Sequence, residues 1–155
     1  MSSNVSHSPG VARAGSLRAM AYPRTVTRPR TKPTGDLGSL ARQCVPVLGV
    51  ELTAYLAGAD SLGQFERWLT GDTRMPMDLG AVRLAAVRLA AGVEVIRIFG
   101  AENSLSMVGP WLREIGDYVE APARTIRCAG FDDDAIKDVI QAATLWVTGH
   151  RFLAA

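Results

Sequence analysis

The stretch that decides the fold is "LTAYLAGADSLGQFERWLTGD", residues 52–72. Two short segments with apolar residues at helical spacing lie on either side of a break made of small residues. Ala54, Gly58 and Ala59 are small enough for two helices to meet closely. Phe65 is placed to fill the gap between the helices, and Trp68 is placed to hold the end of the second helix against a bundle. The stretch therefore predicts two helices joined by a tight turn.

A helix-turn-helix of this kind lays its second helix in the major groove of DNA. On that helix Ser61, Gln64 and Arg67 are the polar side chains that could reach base edges, because amide and guanidinium groups make bidentate base contacts. Thr73 and Arg74, in "TGDTRMP" (residues 70–76), are the candidates for phosphate contacts. A helical hairpin that packs into a core without binding DNA is the open alternative.

From Asp36 onward apolar residues recur at helical spacing, and no strand pattern is found, so the expected fold is all-α. The first predicted helix ends near Gly49, and further helices are predicted over residues 51–57, 62–70, 78–99 and 105–115. Gly109-Pro110 is expected to break or kink the last of these. A short helical turn and a final helix after Asp134 follow. The long helix of residues 78–99 contains "AVRLAAVRLA" and is apolar around most of its circumference, which predicts a homodimer interface that includes Leu89 and Val93.

Charge divides the chain into a basic tail and an acidic body. Residues 1–35 contain six basic residues and no acidic residue, whereas residues 36–155 carry a net charge of −4. Residues 1–35 are rich in Ser, Pro, Thr, Gly and Arg and are expected to be disordered. Arg28, Arg30 and Lys32 in this tail are candidates for supporting contacts to DNA.

Composition and motifs disfavour several functional classes. Hydrophobic residues make up 48% and charged residues 21% of the chain, and no apolar run reaches the ~18–20 residues of a membrane span. Cys44 and Cys128 are isolated, which predicts no zinc site and suits a reducing cytoplasm. No Ser-His-Asp or Cys-His arrangement and no glycine-rich phosphate loop is found. We therefore expect a binding protein with no catalytic residues, metal or cofactor.

A second stretch, "WLREIGDYVEAPARTIRCAG" (residues 111–130), precedes an amphipathic helix with an acidic start. It resembles the toxin-binding domain of Xre/MbcA/ParS-like antitoxins. Trp111-Leu112 stands for the family's Trp-Phe, Gly116-Asp117 for Asn-Pro and Val119 for a leucine, while Pro122 is retained and Ile126 follows it. The stretch at residues 52–72 resembles the Xre-type helix-turn-helix of the same family, so the resemblance covers residues 36–148 in the family's domain order.

The resemblance implies an antitoxin of a type II toxin-antitoxin system, which binds and blocks a RES-domain toxin that degrades NAD and represses its own operon as a dimer. It divides the chain into a tail (1–35), a helix-turn-helix with a dimerisation helix (36–99) and a toxin-binding domain (100–155). A DNA-binding regulator without a toxin, or an interaction module that has lost DNA binding, remain the alternatives. The toxin-binding residues that the resemblance implies are Trp111, Asp117, Tyr118, Pro122, Arg124, Arg127, Arg151 and Phe152.

Overall fold

A computed structural model describes residues 36–71, 78–114 and 120–153. These residues form seven α-helices and no strand, which confirms the predicted all-α class. In chain order the helices are α1 (Leu37–Leu48), α2 (Val50–Ala57), α3 (Leu62–Thr70), α4 (Leu79–Gly100), α5 (Leu105–Arg113), α6 (Pro122–Cys128) and α7 (Asp134–Leu153).

Side-chain caps explain where several helices begin. The carboxylate of Asp36 accepts a hydrogen bond from the Ser39 N–H, and Asp78 accepts from the first-turn N–H groups of α4. Such caps satisfy backbone donors that have no partner within the helix. The predicted bounds of α3 are confirmed, and α4 differs from its predicted range by one residue at each end.

The sequence predicted a break or kink at Gly109-Pro110, but α5 continues through Pro110 to Arg113. Proline inside a helix removes one backbone hydrogen bond and crowds the preceding turn. Val108, Trp111 and Leu112 are buried on either side of it. Because the helix is continuous through this position, the predicted break is wrong.

Helix α4 lies at the centre of the fold and packs against α1, α2, α5 and α7. Leu89, Val95 and Phe99 on this helix are fully buried. Gly92 permits the close approach of the neighbouring helices, because a Cβ atom there would lie 3.5 Å from both the Cys44 Sγ and the Leu56 Cδ1. Helices from both halves of the sequence therefore pack around this one helix.

The burial of Leu89 corrects one expectation. Leu89 is 0% exposed within a single chain, so its side chain is not available to a dimer interface. Other helices of the same chain cover much of the apolar circumference of α4. Val93 is partly buried against the same core. In the described part of the chain, we find no helix with the length and hydrophobicity that crossing a membrane requires.

Candidate nucleic-acid interface and adjoining groove

Helices α2 and α3 are joined by a tight turn at residues 58–61. Gly58 ends α2 in the left-handed conformation with φ of 88°. The Gly58 N–H donates to the Tyr55 carbonyl at 3.0 Å, and the Ala59 N–H donates to the Ala54 carbonyl at 3.1 Å. In this type of helix ending, a glycine in the left-handed conformation lets its own N–H and the next N–H donate to the last carbonyls of the helix. These two backbone hydrogen bonds are one part of what holds the turn.

Ser61 and Gln64 hold the start of α3. The Ser61 hydroxyl accepts from the Gln64 N–H at 3.1 Å, and the Gln64 Oε1 accepts from the Asp60 N–H at 2.6 Å. The pair resembles a capping box, which the order Ser-x-x-Gln signals in the sequence. Both residues were predicted to contact bases, and the sequence analysis missed their structural role. The amide nitrogen of Gln64 retains its two donors for another partner.

Helix α3 is the most peripheral part of this unit. It packs on α2 and, more lightly, on α1. Phe65 is its one fully buried residue, and Trp68 is partly buried against the core, as the sequence predicted. Ser61, Glu66 and Arg67 are exposed. The structure therefore anchors α3 by its inner face and leaves its outer face to solvent.

Two arginines from later helices contact the carbonyl groups at the end of α2, and we call Arg88 and Arg127 together the arginine clamp. The Arg127 Nη1 donates to the Tyr55 carbonyl at 2.8 Å and to the Ala59 carbonyl at 3.0 Å. The Arg88 Nη1 donates to the Ala57 carbonyl at 3.4 Å. Positive charge at a helix C-terminus is favourable because it opposes the negative end of the helix dipole.

The two guanidinium groups of the clamp lie near each other. Burial and then the positive charge of Arg127 lower the pKa of Arg88, while Cys128 acts in the opposite direction. The Arg88 Nε also donates to the Ala129 carbonyl at 3.0 Å, which ties α4 to the end of α6. Asp60 lies 3.7 Å from Arg127 but is largely exposed, so solvent screens this ion pair. Carbonyl oxygens therefore do most to hold the clamp.

A groove of about 330 Å³ lies between α2, α5 and the start of α6. Arg124 borders it and forms an exposed ion pair with Glu120 at 3.5 Å. Tyr55 also borders the groove, and its ring lies 4.7 Å from the Arg127 guanidinium carbon. Tyr55 is thus shared by the groove and the clamp. The residues that line the groove are Glu51, Leu52, Tyr55, Arg113, Ala121, Ala123 and Arg124.

The residues predicted to bind a toxin lie in different environments. Trp111 is 3% exposed and packs on Phe99 with ring centroids 5.4 Å apart, and Pro122 is buried at the first position of α6. These two support the surface from within. Arg124 is exposed, whereas Arg127 belongs to the clamp. Arg151 and Phe152 lie in the last turn of α7.

Other predicted contacts fall outside the described residues: Asp117 and Tyr118 for the toxin, and Thr73, Arg74, Arg28, Arg30 and Lys32 for DNA. Within the described ranges, no three His, Cys, Asp or Glu side chains are grouped so as to hold a metal ion. Comparison of the chain with protein-family models, curated proteins and solved structures found no match.

Proposed function

We propose that this protein is an antitoxin of a type II toxin-antitoxin system, which binds operator DNA through α2, the turn and α3, and binds a RES-type toxin through its C-terminal helices. The observation that carries the proposal is the placement of α3. Phe65 is the one fully buried side chain that anchors this helix. The polar residues of the helix are directed outward. A recognition helix needs such a rigidly held inner face and a free outer face.

The start of α3 suits close contact with DNA. Recognition helices of this class contact base edges with residues in their N-terminal part. Gly63 lies there, and a Cβ atom at this position would meet only the Ser61 Oγ, at 3.9 Å. Because glycine has no side chain, there is room here for the DNA backbone. This room offsets the low helix propensity of glycine. Exposed Arg67 lies one turn further along.

The toxin half of the proposal rests on the resemblance at residues 111–130 and on the groove beside it. The groove is lined by the aromatic Tyr55, by the charged Arg113, Arg124 and Glu51, and by the apolar Leu52, Ala121 and Ala123. Aromatic and arginine side chains contribute more than their share of binding free energy at protein interfaces. The groove is therefore the part of the C-terminal surface that we expect a partner protein to contact.

A DNA-binding regulator without a toxin is the second candidate, and the arginine clamp favours it. Arg127 lies in the segment that resembles a toxin-binding domain, yet its guanidinium contacts the carbonyls beside the α2–α3 turn. In this alternative the C-terminal helices serve the DNA-binding unit and contact no toxin.

The DNA half is tested by fluorescence anisotropy with a duplex from the region upstream of the protein's own gene and a shuffled duplex of equal composition. We expect the full-length protein to prefer its own duplex. Arg67→Ala is expected to remove about 1–3 kcal/mol of that preference, the range for one lost base contact. Arg97→Ala removes the same charge from an exposed position on α4 and serves as the matched control. Equal affinity of the wild-type protein for both duplexes contradicts the proposal.

The toxin half is tested by co-expression with the product of the adjacent gene, scored by co-purification, growth rescue and NAD consumption. We expect the full-length protein to restore growth and stop NAD loss. Arg124→Glu is expected to weaken the complex, and Arg97→Glu is expected to leave it unchanged. Preference for the upstream duplex without any effect on the neighbouring gene product would favour the regulator without a toxin.

A further inference from the structure

Helix α6 carries two arginines less than one turn apart that are used differently. Arg124 is directed to the surface, where its side chain is 68% exposed beside Glu120. Arg127 is directed to the α2–α3 turn, and its side chain is 25% exposed. The two side chains are chemically identical, so their different surroundings allow a matched comparison.

Arg127 connects parts of the chain that are far apart in sequence. Its two hydrogen bonds reach Tyr55 and Ala59, on both sides of Gly58, where the chain leaves α2. One planar guanidinium thereby fixes the last turn of α2 relative to the first residues of the turn. Because α3 follows at once and packs mainly on α2, loss of this contact is expected to change the direction of α3.

Tyr55 connects the same arginine to the groove. Its carbonyl accepts from Arg127, its ring lies under the Arg127 guanidinium, and its side chain borders the groove. Loss of the Tyr55 ring is therefore expected to change the surroundings of Arg127.

We propose that Arg127 is a positioning residue for DNA recognition, which holds the α2–α3 turn together with the ring of Tyr55. The inference rests on the proposed DNA binding. Arg127 contacts the turn, and Tyr55 contacts Arg127 through both its carbonyl and its ring.

The first test compares full-length Arg127→Met with Arg124→Met in DNA affinity and in its salt dependence. We expect Arg127→Met to bind the upstream duplex about tenfold more weakly, the change expected when hydrogen bonds to one charged group are lost. Arg124→Met is expected to stay within about twofold, as for other surface ion pairs. Arg127→Lys keeps the positive charge and can donate toward one of the two carbonyls. Its affinity for the duplex is expected to lie between those of wild type and Arg127→Met.

The salt dependence separates positioning from direct contact. A residue that binds phosphate lowers the log–log salt slope by about 0.9 when it is removed, whereas a positioning residue leaves the slope unchanged. A reduced slope in Arg127→Met, or equal affinities of the two methionine variants, would overturn the positioning role.

Amide hydrogen exchange tests the same role without DNA. We expect the amides of Ala59 and Asp60 to exchange faster in Arg127→Met than in Arg124→Met, with the amides of α4 unchanged in both. If the wild-type protein binds no DNA, the proposed function fails, and exchange still decides whether Arg127 holds the turn. Equal exchange at Ala59 and Asp60 in both variants would overturn the inference even if the wild-type protein binds DNA well.

A double-mutant cycle tests the route through Tyr55. Tyr55→Leu keeps an apolar wall in the groove but removes the ring under Arg127. Coupled residues give non-additive effects, so we expect Tyr55→Leu to weaken DNA binding alone but to add less than twofold to Arg127→Met. Independent, multiplying effects of the two substitutions would contradict the coupling.

Discussion

Helix α4 contributes mainly to the core of the molecule, whereas helix α3 contributes mainly to its surface. Helix α4 has 22 residues, six of them buried, and contacts helices from both halves of the chain. Helix α3 has nine residues with Phe65 as its one fully buried side chain. Removing a contact from α4 affects the whole core, whereas removing one from α3 affects mainly α3 and its direction. The difference teaches that stability and the candidate reading surface are carried by separate helices.

The largest effect is expected from Phe99→Ala on α4. Phe99 is fully buried and packs on Trp111 and on Trp146, with ring centroids 5.4 and 5.1 Å away. Truncation of a buried phenylalanine costs about 3–5 kcal/mol. Urea denaturation followed by circular dichroism is expected to show this loss as a single transition. Separate transitions for the two halves of the chain would contradict the shared core.

Phe65→Ala is the matched substitution on α3. Phe65 is also fully buried, but α3 can detach while the remaining helices keep their core. We therefore expect a smaller shift in the urea midpoint than for Phe99→Ala, together with faster amide exchange confined to residues 62–70 and loss of DNA binding. Equal midpoint shifts in the two variants would remove the distinction between the helices.

Gly58→Ala tests the turn itself. An alanine there would hold a strained left-handed conformation, and its Cβ would overlap the Arg88 Nη1. We expect a loss of about 1–3 kcal/mol in urea denaturation. Gly63→Ala adds the same methyl group to open space on α3 and is expected to stabilise the helix by up to about 1 kcal/mol while weakening DNA binding. Similar stability of both variants would contradict the close packing of Gly58 on the clamp.

The two N-caps give a smaller and more local contrast. Asp78 caps α4, and Ser61 caps α3. Replacing a cap by alanine costs about 1 kcal/mol. We expect Asp78→Ala to lower the urea midpoint, and Ser61→Ala to accelerate amide exchange in α3 with little change in the midpoint. A midpoint shift from Ser61→Ala as large as that from Asp78→Ala would show that α3 unfolds together with the core.

Near neutral pH, the smallest effect on stability comes from the buried thiol of Cys44. Burial against α4 raises the pKa of Cys44 from 9.0 to about 12, while Cys128 is exposed. Above pH 9.0 the unfolded thiol loses its proton and the folded one keeps it, so this group lowers stability as pH rises from 9.0 toward 12. At pH 8 a thiol reagent is expected to modify Cys128 quickly and Cys44 only after unfolding. Rapid modification of both would show that α1 opens from α4.

The helices were predictable because caps and apolar spacing are local properties of the sequence. The bounds of α3 followed from the apolar spacing over residues 62–70, although the cap at Ser61 was missed. Pro110 was expected to break the helix. The burial of its neighbours depends on tertiary packing and could not be predicted from the local sequence. Leu89 was assigned to a dimer interface because periodicity shows that a face is buried and does not show what covers it.

The candidate site was less accessible from sequence. Arg127 looked like a partner contact, since the sequence around it does not reveal a carbonyl acceptor more than 30 residues away. Ser61 and Gln64 carried a readable signal, the capping-box spacing. The groove joins residues from three helices, so no local pattern points to it.

The turn between α4 and α5 has a consequence for how this chain can be divided. Asn103 is exposed there in a left-handed conformation with φ of 58°. Phe99 lies before this turn, and the rings it packs on, Trp111 and Trp146, lie after it. Two fragments separated at this turn would each expose half of an aromatic cluster and would regain their fold by reassociating, as split reporter proteins do. The helices after this turn therefore cannot be exchanged for those of another protein without changing the face of α4 that they cover.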